Sequence, residues 1–234
     1  MDCSQACNAV DFQLTRPSIQ LYQPVKARET INVWVYFWLF AVITVTMSFR
    51  HGIGHSVIKD GLPWNIAGQW LNAQMPIPYF DWVGFLVVVS TILLTFSIIY
   101  LSFSLAASLA RVNFKTFTQT VGVMVAPIVL INLLGHVLGA FFTSYASNAV
   151  NAGFWLIGMD AIMSPLAPRG GWASVFSLLT YVSVLWALFV LWKRLALLGV
   201  SGWRALGIGF ISASTVWFFV VLVSLRDFLP RAIG

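Results

Sequence analysis

Five stretches of the chain are almost purely apolar and long enough to cross a bilayer: residues 31–49, 82–110, 116–145, 173–192 and 205–225. A helix rises 1.5 Å per residue, so about 20 apolar residues cover a hydrocarbon core of roughly 30 Å. The first stretch has Trp34 and Trp38 near its start and Arg50 just beyond its end, the aromatic and basic flanks of a membrane crossing. The second is longer than a perpendicular crossing needs and predicts a helix that tilts or protrudes before Arg111 and Lys115 stop it. The turn to the third is too short for anything but an antiparallel hairpin. Lys193 and Arg194 end the fourth, and Arg226 and Pro230 end the fifth. The pattern predicts an all-α fold, a polytopic integral membrane helical bundle of about five transmembrane helices plus short interfacial helices.

The polar stretches divide the rest. Residues 1–30 hold Cys3, Cys7 and two prolines without a long apolar run, and read as a cytoplasmic N-terminal segment lying on the membrane surface. Residues 31–234 form the transmembrane domain. With no cleavable signal peptide visible, the first apolar helix is expected to direct insertion. After the first span, Pro63 opens the run PWNIAGQWLNAQ, which predicts a short helix in the interface: proline suits a first helical position, and Trp64 and Trp70 favour the headgroup level. Residues 146–172 make a second long connection.

The third stretch differs from its neighbours because polar groups interrupt it midway. Asn132, Gly135, His136 and Gly139 fall at i, i+3, i+4 and i+7, so one helix face presents an amide, an imidazole and two bare backbone patches. An unpaired amide or imidazole in hydrocarbon costs several kcal/mol, and Gly135 with Gly139 makes the G-x-x-x-G spacing that admits a close neighbour. That face is expected to meet protein rather than lipid. Pro127, five residues before Asn132, removes a backbone donor and predicts a kink.

Composition agrees with this reading: 59% of the 234 residues are hydrophobic, 9% are charged and the mean hydropathy is +0.87. The net charge of +6 has no basic run or aromatic nucleic-acid motif beside it, so it reads as loop bias. The N-terminus with the second and fourth connections carries Arg16, Lys26, Arg28, Arg111, Lys115, Lys193, Arg194 and Arg204. The other side carries Arg50, Lys59, Arg169, Arg226 and Arg231. The positive-inside rule then places the N-terminus in the cytoplasm, and the C-terminus and the two long Trp-rich loops outside.

That orientation gathers all three histidines in the outer half. His51 and His55 stand at i, i+4, a spacing that suits a metal ion, with Asp60 or Asp81 as a further oxygen ligand. His136 with either of them would equally suit haem, copper or a quinone. The alternative is structural: His51 and His55 as interfacial residues of a loop weakened by Gly52 and Gly54, His136 as a donor to a neighbouring helix, and Asp81 as a helix N-terminal carboxylate. No phosphate loop, dinucleotide fingerprint, nucleophile elbow or H-E-x-x-H motif is present.

Cys3 and Cys7 stand in D-C-S-Q-A-C-N, which resembles the close of a bacterial ferredoxin motif, with Asn8 where proline is usual. Beyond it the chain runs through a hydrophobic helix, a Trp- and Pro-rich loop, a long helix ending in arginine, a short turn with Phe, and a helix reading A-P-I-V-L-I-N-L-L-G-H. Together with the closing pair of helices, this order resembles the C-terminal membrane half of the membrane-bound polyferredoxins, the 4Fe-4S proteins of the nitrate and nitrous oxide reductase accessory type. Pro127 and Gly135-His136 resemble that family's P-x-A-L-A-G-H-L-A-H at looser spacing, and Gly139 stands where its second histidine falls. The resemblance implies a membrane scaffold whose cluster motif is reduced to two cysteines and whose cluster-bearing half does not precede it.

Three functions are expected as alternatives. The first is a non-catalytic accessory subunit that anchors or positions other integral membrane subunits of a redox complex, with Asn132, Gly135 and Gly139 as its helix-packing face and Gly207 with Gly209 as a second small-residue face. The second is a redox-active subunit that binds haem, copper or quinone at His51, His55 and His136. The third is a small metal or solute transporter.

Overall fold

Asp81 starts the longest helix. Its carboxylate accepts from the backbone N–H groups of Val83 and Gly84, both at 3.0 Å, satisfying two of the donors that a helix start leaves over. From there Trp82–Ala110 runs 29 residues without a break and ends where Arg111 turns left-handed at φ 59°. The computed structural model describes residues 21–23, 30–47, 56–141, 145–160 and 171–228. These are largely helical, with no strand among them. We number the helices α1 (Thr30–Thr46), α2 (Pro63–Gln74), α3 (Trp82–Ala110), α4 (Phe114–Val121), α5 (Ala126–Ala140), α6 (Ala146–Leu156), α7 (Gly171–Leu197), α8 (Gly202–Ser212) and α9 (Ser214–Phe228).

Among the described residues, three helical stretches are long and apolar enough to cross a membrane: Trp82–Ala110, Phe114–Gly139 and Leu178–Leu197. A fourth joins them if α8 and α9, bent by 45° at Ala213, are one span. The chain is therefore built as an integral membrane protein of three or four such spans. Helix α1, at 17 residues, is apolar but shorter than they are.

The central span is not one regular helix. Between α4 and α5, Gly122–Val125 tightens into a 3₁₀ segment. Pro127 accounts for this, since it offers no N–H to the carbonyl of Val123 and sits in the first turn of α5, where its missing donor costs least. Every residue from 121 to 129 is buried. Half of this span's apolar window is covered by protein, against 22% for α3, which makes it the post around which the others stand.

Two close fits fix the neighbours. A Cβ built on Gly122 would lie 2.6 Å from Val33 Cγ1 and 2.8 Å from Phe37 Cζ, so α1 can cross here only because Gly122 has no side chain. Phe37, Phe103 and Phe117 then meet edge to face at 5.7 and 5.6 Å, tying α1, α3 and α4 together. At the other end of α3, Gly68 sets α2 directly on the backbone of Val83, where a Cβ would fall 2.6 Å from Cα. Met75 and Asn72 complete that hairpin by accepting from Trp82 Nε1 and the Trp82 backbone N–H at 3.0 and 3.2 Å. The 111–113 turn is closed by Asn113, which caps α4 through the Thr116 N–H at 2.7 Å. Arg204 of α8 donates from Nε to the Leu109 carbonyl at 2.8 Å, placing a cation at the negative end of α3.

Candidate functional site

The polar face of α5 begins inside the protein and ends at its surface. Asn132, half-buried, donates from Nδ2 to the Ile128 carbonyl at 2.8 Å and accepts at Oδ1 from the Thr180 hydroxyl of α7 at 3.1 Å. One amide thus serves its own helix and a neighbour, in an environment where no water competes. Gly135 and Gly139 are half-buried further along. His136 is exposed, between Leu134 and Val137 at 58% and 62% exposure. The face that packs on α7 at Asn132 therefore opens outward before the end of α5.

A second polar contact joins α1 to α3. Thr44 and Thr95 bring their hydroxyls to 2.9 Å, both fully buried, while each also donates to, or shares, a carbonyl of its own helix: Ala41 for Thr44 at 2.8 Å and Thr91 for Thr95 at 2.7 Å. A third contact ties the N-terminal segment to α7. Arg194, 1% exposed, donates from Nε to the Leu21 carbonyl at 2.6 Å. Trp186 Nε1 donates to the Tyr22 hydroxyl at 3.1 Å, and the Tyr22 ring stands edge-on to Phe189 at 5.7 Å. Leu21–Gln23 so lies as a strap over two turns of α7, accepting from an indole N–H and from one N–H of a buried guanidinium.

Compared with family models, curated proteins and solved structures, the chain matches none.

Of the residues singled out from sequence, Asp60 lies exposed in the 3₁₀ turn Lys59–Gly61, and Asp81 is engaged as the cap of α3. His51 and His55, expected with Asp60 as metal ligands and with His136 as a haem, copper or quinone site, fall outside the described residues, as do Cys3 and Cys7. Among the described residues no three of His, Cys, Asp and Glu gather to hold a metal ion. Among the described residues a Cβ at Gly207 would meet nothing within 4 Å, whereas one at Gly209 would fall 3.3 Å from Leu195 Cδ1 of α7, so of the small-residue face expected there only Gly209 sits close against another helix.

Thr180, Thr44, Thr95 and Arg194 were not visible as contact residues in the sequence. A threonine in an apolar helix satisfies its own hydroxyl on the preceding turn and leaves no periodic signature. Arg194 read as the basic stop of a span, although it is one of the most buried side chains.

Proposed function

We propose that this chain is an integral accessory subunit of a larger membrane redox complex, without a catalytic centre of its own. It crosses the bacterial cytoplasmic membrane about five times, α1 and the bent pair α8–α9 counting as crossings, with the N-terminus in the cytoplasm and the C-terminus outside. The observation that carries the reading is the course of the α5 polar face. It is engaged by α7 at Asn132 and turned to the outer surface at His136, beside the half-buried Gly135 and Gly139. An ionisable side chain on the outer surface of an apolar span is costly against lipid and is ordinarily covered by protein. A glycine-notched stripe beside it is what a second transmembrane helix would use to approach.

The redox assignment rests on the resemblance to the membrane half of the polyferredoxins. The same resemblance, with Gly139 where that family's second histidine falls, supports a role carried by the helices. The test is gentle purification from native membranes, then mass spectrometry and an optical spectrum of the isolated chain. Stoichiometric membrane partners carrying haem or iron–sulfur centres, with a colourless isolated chain, support the proposal. A haem band or stoichiometric copper in the chain alone overturns the non-catalytic role and favours a histidine-ligated cofactor.

A further inference from the structure

Hydroxyls in the apolar helices of this protein are commonly satisfied at home. Thr46, Ser102, Ser183 and Ser212 each donate to a carbonyl three or four residues back in their own helix, and the hydroxyls of Thr44 and Thr95 are shared between such carbonyls and one another. Two neighbouring hydroxyls at the start of α9 are not. Ser214 Oγ and Thr215 Oγ1 are buried and have no hydrogen-bond partner, and Thr215 is 0% exposed. Thr118 Oγ1 of α4 is in the same condition but stands alone, whereas Ser214 and Thr215 are adjacent and sit at a break. The reason is local. The carbonyls that Thr215 would use belong to Ile211 and Ser212, and both lie across the 45° bend at Ala213.

At the bend Ala213 keeps its backbone bonds on both sides, its N–H donating to the Gly209 carbonyl and its carbonyl accepting from the Trp217 N–H, both at 2.8 Å, so what is left over is the pair of hydroxyls. The bend falls 11 residues into the bent pair, about 16 Å from its start and so near mid-bilayer if the pair crosses as one span. A buried hydroxyl without a partner has lost its bond to water and gained none in return. Irregular backbone at membrane depth persists where protein or a polar guest satisfies it.

From these observations we propose that the α8–α9 break binds water: at least one ordered molecule bonded to Ser214 Oγ and Thr215 Oγ1, which makes the bend at Ala213 a hydrated one. The chemistry selects a neutral guest over a cation. The groups on offer are hydroxyls, the sequence 202–225 contains no Asp or Glu, and the only charge within it is Arg204. A water molecule both donates and accepts, as hydroxyls do, and typically makes about three bonds at such a site.

The experiment is hydroxyl-radical footprinting with mass spectrometry on the full chain in lipid nanodiscs, with thermal unfolding of the same samples. Ile211–Phe219 is expected to label several-fold faster than Ser183–Leu191 of unbroken α7, which is similarly buried and also holds one Trp, and the Ser214→Ala, Thr215→Val double variant should lose that excess. Thr215→Val alone should lower the unfolding temperature, because it removes one support of a bound molecule. Labelling no faster than Ser183–Leu191, or a Thr215→Val variant that is more stable, means that the break is dry and overturns the proposal. Stabilisation by sodium or potassium relative to choline at equal ionic strength, lost in Thr215→Val, assigns the site to a cation and overturns it as well.

Discussion

Asn132 shows how a single side chain can be both readable and half-read. Its place in an apolar run marks it as a polar contact, and the structure gives it the Thr180 hydroxyl on α7. Thr180 could not be named beforehand, because threonines in spans ordinarily bond their own helix and carry no sign of a second partner. The contribution of such a pair is measurable. In a double-mutant cycle with Asn132→Leu and Thr180→Val, the coupling should be about 0.6 kcal/mol and at most near 2, as for other hydrogen bonds between membrane helices. Denaturation in mixed micelles reads it, and a coupling of zero would remove this bond from the account. Tyr22→Phe addresses the strap: it keeps the ring against Phe189 but takes the acceptor from Trp186, and should lower stability by about 1 kcal/mol. An unchanged unfolding temperature would show that the strap does not support α7.

At the scale of helices, sequence and structure agree where a strong local signal exists. Trp82–Ala110 carries its stop signals in plain view, and Pro63 and Pro127 each sit in the first turn of a helix. Pro127 also explains the 3₁₀ segment that divides the central span, a division the apolar run of 116–145 conceals. The bend at Ala213 had no such marker, since neither proline nor glycine stands at that position. Glycine gave mixed guidance, because a close approach depends on the partner as much as on the glycine. The structure separates the cases. Gly122→Val should prevent α1 from seating and sharply reduce the folded yield, because Val33 and Phe37 already occupy the space of a Cβ. Gly207→Ala, with nothing within 4 Å, should be neutral or stabilising by up to about 1 kcal/mol. Size-exclusion profiles and unfolding temperatures of the two variants check both outcomes. Equal behaviour would mean that the α1 crossing is not where Gly122 places it.

The whole molecule is a set of helices around a buried central post, and its class was legible from composition and run length alone. The number and direction of crossings depend on α1 and on the bent pair, which length and apolarity do not decide. The charge asymmetry does make a definite prediction. In a background where Cys3 and Cys7 are serine, Gln69→Cys in α2 should react with an impermeant maleimide applied to intact spheroplasts. Ser201→Cys, between α7 and α8, should react only after the membrane is opened. The reverse pattern would invert the topology and place the α2 hairpin in the cytoplasm.

At this scale the central claim is that the outer half of α5 is covered by another protein. Capture of the tagged chain from native membranes in mild detergent, comparing wild type with Gly139→Leu and His51→Ala, tests it most directly. The account predicts that leucine at 139 releases the membrane partners from a chain that still folds, while His51→Ala retains them. Partners that remain with the Gly139→Leu chain as with wild type would contradict it.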